Sequence, residues 1–132
     1  MNFKEFLVSI NACEEARIWV GDKSIREAWE QCERGDWMLW WFSRADNFDK
    51  RKSTLAKGHC ANTVRHLMKD IRSTNAVDMA ISYGNNEATG KQLAAASAAA
   101  ADAAYAARTK NRKETADICR RYLPMPVRAI CQ

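Results

Sequence analysis

Proline is missing from the first 123 residues of this chain: its two prolines, Pro124 and Pro126, both sit near the C-terminus, and glycine occurs at only five positions, Gly21, Gly35, Gly58, Gly84 and Gly90. Punctuation this sparse, with apolar residues at helical spacing between the breaks, predicts an all-α chain. Three capping boxes strengthen that expectation: Asn11 with Glu14, Ser24 with Glu27, and Asn111 with Glu114. In each, the cap side chain can accept the amide proton three residues on, while the glutamate returns to the cap's own amide.

A first helix is expected over Phe3 to Ile10, and a second through Ala12, Ala16 and Trp19 to a stop at Gly21. The third places Ile25, Ala28, Trp29 and Cys32 on one stripe, with Gly35 beyond its last turn. Asp36 then caps a fourth, whose segment WMLWWFSRA is apolar almost all round and so has to be enclosed by neighbours or by a partner. A long helix from about Arg51 to Ile71 carries Ala56, Cys60, Val64, Leu67, Met68 and Ile71 on one face. A shorter one carries Ala76, Val77, Ala80 and Ile81 and stops at Gly84. The last runs from Arg112 to Leu123, where Pro124 ends it.

Eleven of the fourteen residues from Ala94 to Ala107 are alanine, which gives maximal helix propensity but little apolar area. Side chains this small let helix axes approach closely, so this helix is expected at the centre, anchored by Leu93 and Tyr105.

At 132 residues and 15.0 kDa there is polypeptide for one core, so the expectation is a single domain over residues 1–132, a compact bundle of seven or eight helices around the alanine-rich one. The hydrophobic fraction of 47% and charged fraction of 28% are those of ordinary globular domains and exclude disordered and fibrous classes. No stretch approaches about 18 apolar residues without a charge, which argues against a membrane span. Glu5, Glu14 and Glu15 near the start argue against a signal peptide, so a cytoplasmic protein is expected. Five cysteines, Cys13, Cys32, Cys60, Cys119 and Cys131, are odd in number and lack a C-x-x-C pair, the pattern of reduced thiols.

All five tryptophans, Trp19, Trp29, Trp37, Trp40 and Trp41, fall within 23 residues. Trp29 lies on its helix stripe, and Trp37 and Trp41 share a face four residues apart, which assigns these to the core. Trp40, offset from that pair along with Met38 and Phe42, is the interface candidate.

Chemistry has fewer footholds. His59, Thr63, His66 and Asp70 would form one stripe on the long helix, where a carboxylate a turn from a histidine can orient an imidazole as base or metal ligand. The two histidines are seven apart with no third ligand, however, and Cys60 points about 100° from His59 on a helix. No G-x-G-x-x-G, P-loop, G-x-S-x-G or H-E-x-x-H occurs, so no catalytic residue, metal or cofactor is expected. YGNNEATGKQ could place Gly90 and Lys91 at a helix start able to hold an anion, but a loop explains it as well.

Net charge is +5 and uneven: residues 1–46 carry six basic and nine acidic side chains, the rest fifteen and seven. Arg108, Lys110, Arg112, Lys113, Arg120 and Arg121 form one basic cluster and Lys50, Arg51, Lys52 and Lys57 another. Juxtaposed, they would bind nucleic acid in a salt-sensitive way; Glu114 and Asp117 interrupt the first, and no nucleic-acid motif accompanies either.

The segments ACEEARIWVG, EAWEQCERGDWMLWW, CANTVRHLMKDIRS and ADICRRYL, spread from Ala12 to Leu123, resemble a family of small helical proteins of bacteria, phages and prophages. That family is labelled as immunity proteins, by similarity to those of polymorphic toxin systems. The most specific piece is EAW-x-x-C-x-RGDWMLW, from Glu27 to Trp40. The resemblance implies a non-enzymatic, stoichiometric inhibitor that neutralises a toxin or effector by direct binding. A phage-borne member would instead block a host nuclease or CRISPR-type defence complex. With that family in view, the partner surface is expected around Trp40, with Arg34, Asp36 and Arg44 as charged rim residues.

Overall fold

The Ser24 hydroxyl accepts the Glu27 amide at 3.1 Å and the Glu27 carboxylate accepts the Ser24 amide at 3.3 Å, a complete capping box. It opens the third helix of a computed structural model that describes residues 3–96 and 112–127. In chain order the elements are α1 (Phe3–Ser9), α2 (Glu14–Val20), α3 (Ile25–Gln31), α4 (Gly35–Ser43) and α5 (Lys50–Asn62). A 3-10 turn at Arg65–Leu67 follows, then α6 (Ile71–Gly84), α7 (residues 90–96) and α8 (Arg112–Tyr122). The fold is all-α, with no strand among the described residues.

Asparagine closes two of the helices, and at the first of them the boundary differs from expectation because asparagine suits either end of a helix. Asn11 does not cap α2; at φ 59° it closes α1, its amide donating to Val8 O at 3.1 Å and the Ala12 amide to Leu7 O at 2.9 Å. That is a Schellman closure with Asn in the left-handed position, and it leaves Cys13 as an N-cap with no side-chain bond. Asn86, at φ 63°, closes α6 the same way through Tyr83 O and Ser82 O. α6 ends at Gly84 as expected, with Asn86 taking the left-handed position two residues on. The third predicted box, at Asn111, lies outside the described residues.

The long helix expected from Arg51 to Ile71 is two helices. α5 ends at Asn62, the chain turns, and Asp70 caps α6 by accepting the Arg72 amide at 2.8 Å. Arg65 holds the turn by donating twice to Asp78 of α6, at 2.6 and 2.9 Å. α6 then runs antiparallel along α5, the most extensive helix pairing among the described residues. Glycine makes this approach possible. A Cβ on Gly84 would lie 2.7 Å from Leu55 Cα and 3.0 Å from Arg51 O, and one on Gly58 would lie 2.9 Å from Ile81 Cγ1.

α4 is enclosed, as its apolar circumference requires. Met38, Leu39, Trp41 and Phe42 are buried, and Met38 and Phe42 retain 0% exposure, so neither shares the outward position expected for Trp40. Gly35 belongs to α4 rather than to the end of α3, and the N-cap is Arg34, with Asp36 in the first turn. α8 covers α4 and α5 with Thr115, Ala116 and Cys119. On the other side of α4, Phe3 of α1 packs 4.8 Å from the Trp41 ring.

Two arginines of the basic clusters are engaged inside this framework. Arg120 Nη1 donates to Trp29 O at 3.1 Å and Cys32 O at 2.6 Å, satisfying carbonyls that the end of α3 leaves open. Arg51 does the same for Tyr83 O at 2.6 Å and Ala88 O at 3.2 Å while its guanidinium lies 4.2 Å from the Tyr83 ring. Leu93 anchors the start of α7 against Ala80 and Tyr83. From residue 97 to 111 the alanine-rich segment, with Tyr105, Arg108 and Lys110 and its expected central position, lies outside the described residues. Among the described residues, no helix is long and apolar enough to cross a membrane.

Candidate functional site

The helical period puts Ala16 and Trp19 on one side of α2, Ala12 joins them from the α1–α2 connection, and α4 turns Trp37, Trp40 and Trp41 toward them. With Phe3 and Leu7 of α1 as floor, these walls enclose an open cleft of about 360 Å³. Among the described residues Asp36 is the one carboxylate on its lining, and Asn11 and Cys13, both exposed, stand at it from the α1–α2 connection.

The tryptophans divide by depth. Trp29 and Trp41, 5% and 7% exposed, pack edge to face at 5.4 Å and belong to the core. Trp19, Trp37 and Trp40 are half-buried, which moves Trp37 from its expected place in the core to the cleft wall. Trp19 and Trp37 lie 6.2 Å apart at 56°. Each of the three carries a cation from the chain itself: Lys23 is 4.8 Å from the Trp19 ring, Arg34 4.3 Å from Trp37 and Arg44 5.5 Å from Trp40. Lys23 also donates to Trp19 O at 2.9 Å.

The four residues expected to meet a partner are all set around this cleft. Arg34 Nε and Nη2 donate to the two Asp36 oxygens at 3.1 and 2.7 Å, and Nη1 reaches Glu15 at 3.4 Å. Asp36 and Trp40 line the cleft, and Arg44 covers Trp40. Phe3, Leu7, Ala16 and Trp19 complete the walls although sequence reasoning gave them no site role. The readable signal was the Ala12, Ala16, Trp19 spacing in the sequence, the last two on α2, facing a second tryptophan-bearing helix.

Burial pushes the Asp36 carboxyl up, but the hydrogen bonds and charge of Arg34, the Trp37 amide and the charge of Arg112 outweigh it and hold the group below its ordinary 3.8. A carboxyl depressed in the folded state contributes stability that is complete above its unfolded value and is lost as pH falls toward the folded one. Urea midpoints of the parent and of Asp36→Asn should therefore differ most at neutral pH, and the gap should close as pH falls below 3.8. A gap unchanged down to about pH 3 would show that the Arg34 pair adds nothing to folding.

The other candidate constellation is dispersed. Because α5 ends at Asn62, His59, Thr63, His66 and Asp70 share no helix face. His59 stacks on Tyr122 at 4.1 Å and 3°, with burial and then Arg121 lowering its pKa. His66 is exposed in the 3-10 turn, and Asp70 is the α6 cap. Among the described residues no group of three or more His, Cys, Asp or Glu could hold a metal ion. Cys32, Cys60 and Cys119 are buried free thiols. Burial pushes Cys32 up, and the Cys60 thiol together with burial pushes Cys119 up, the condition of an unreactive sulfur. No family profile matches the chain, and no curated protein or solved structure matches it either.

Proposed function

We propose that this chain is a non-enzymatic, cytoplasmic inhibitor of the immunity-protein kind its sequence resembles, which neutralises a toxin or defence effector protein by binding it through the face around the α1–α2–α4 cleft. The observation that carries this reading is the composition of that face. Three half-buried tryptophans surround an apolar centre, and Arg34, Asp36 and Arg44 form a charged rim. Binding hot spots are enriched in Trp and Arg and sit in desolvated centres ringed by polar groups, and rigid indoles lose little entropy on binding. A phage-encoded inhibitor of a host defence complex would use the same physics. Nucleic-acid binding through the basic half has less to work with, because Arg51 and Arg120 are engaged with backbone carbonyls.

The test is capture from the native host with the immobilised chain. The expected result is one retained protein, in equimolar amount, whose toxic or nuclease activity the chain abolishes at equimolar ratio. Trp40→Ala and Arg44→Glu should each weaken retention about tenfold or more while the helical circular dichroism persists. Retention of nucleic acid alone, dissolving with added salt, would overturn the proposal, as would retention indifferent to both substitutions.

A further inference from the structure

We propose that the α1–α2–α4 cleft is also a binding site for a small, neutral, apolar molecule of two or three aromatic rings. Size sets the first bound. An apolar cavity of about 150 Å³ accommodates one benzene, and small-molecule sites start near 300 Å³. The cleft, at about 360 Å³, is more than twice that size and open on one side, so it has room for two or three rings.

Charge sets the second bound. Asp36 is held by both forks of Arg34, and Lys23 is turned onto Trp19 and its carbonyl. Among the described residues that line the cleft the one ionic side chain is Asp36, which Arg34 neutralises, so a charged ligand seated in the apolar interior would leave water without a counter-charge on the lining. A neutral ligand meets no such cost. The walls set the third. Arg34 and Arg44 already occupy ring surface of Trp37 and Trp40, so the indoles present carbon surface to the interior, suited to offset or edge-to-face contact with another ring. The site needs no protein partner, so it stands or fails independently of the inhibitor reading.

The test titrates the purified full chain with N-phenyl-1-naphthylamine and, separately, with its 8-sulfonate, which has the same aromatic skeleton plus one negative charge. The neutral probe should bind saturably at one per chain, quenching tryptophan emission about twofold or more, and the sulfonate should bind about tenfold more weakly or worse. Cys13 lies at the cleft, so its alkylation, followed by peptide mass, should slow about threefold or more at saturation. Ala16→Phe, which places a ring in the cleft, should weaken the neutral probe about tenfold without lowering the melting temperature. Absent saturable binding, equal affinity for the sulfonate, unchanged Cys13 alkylation, or undiminished binding by folded Ala16→Phe would each overturn the proposal. Should Ala16→Phe fail to fold, the Cys13 footprint on the unsubstituted chain decides alone.

Discussion

Gly35→Ala is expected to destabilise the protein by about 3 kcal/mol or more, seen as a fall in melting temperature of roughly 10 °C. Gly35 is buried where the first turn of α4 meets α8. A Cβ there would overlap the Thr115 side chain and lie 2.7 Å from the Thr115 carbonyl carbon, whereas real Cβ atoms essentially never come within 3.0 Å of such neighbours. A flexible side chain can move aside, but the backbone of a packed helix cannot without disturbing the thiol bond of Cys119 to Gly35 O, at 3.7 Å, and the burial of Ala116. Thr115→Ala in the same chain should therefore restore little, because the offending carbonyl carbon stays. Gly90→Ala is the matched control: among the described residues its new methyl would meet Tyr83 Cε2 alone, at 4.0 Å, and stability should change by less than about 0.5 kcal/mol. Thermal melts followed by circular dichroism decide it; equal melting of the Gly35 and Gly90 variants would mean that α4 and α8 are not in contact as described.

That clash also marks where the sequence stops being legible. Local signals read well: the Ser24–Glu27 box, the stop at Gly21, the enclosure of α4 and the inward Cys119 all follow from caps and period. A residue with two chemical uses reads poorly. Asn11 could cap α2 or close α1, and only the pairing of the Ala12 amide with Leu7 O, a matter of chain path, selects the second. Gly35 looks like the stop of α3 but is a close-approach point, and Gly84, which does end α6, is one as well, since their smallness serves Thr115 and Leu55, partners 80 and 29 residues away in sequence.

The break after Asn62 was hidden because the apolar spacing from Cys60 to Ile71 continues through it without glycine or proline. Asp70 was the available cue: an aspartate ahead of Ile71 can start a helix as readily as extend one. The cleft was half visible. Trp40 and its charged neighbours stood out by composition, but the α1–α2 wall depends on how two short helices dock against α4, which no local pattern encodes.

The second large effect separates the two adjacent indoles on which the functional reading turns. Trp41→Ala should cost about 3 to 5 kcal/mol, the range for emptying a buried aromatic position. Its ring sits between Phe3 at 4.8 Å and Trp29 at 5.4 Å and 78°, so truncation removes two aromatic contacts and opens a hole between α1 and α3. Trp40→Ala, at a half-buried ring with Arg44 as its cation, should cost about 1 kcal/mol or a little more. On partner affinity the order should reverse. Trp40→Ala removes contact surface from a folded molecule and weakens binding directly, whereas the surviving folded fraction of Trp41→Ala still presents Trp40, Arg34 and Asp36. Melting curves and retention measured on the same two preparations give both orders. If Trp40→Ala melts as early as Trp41→Ala, the indole is a structural member of α4, and the partner-binding face lies elsewhere on the bundle.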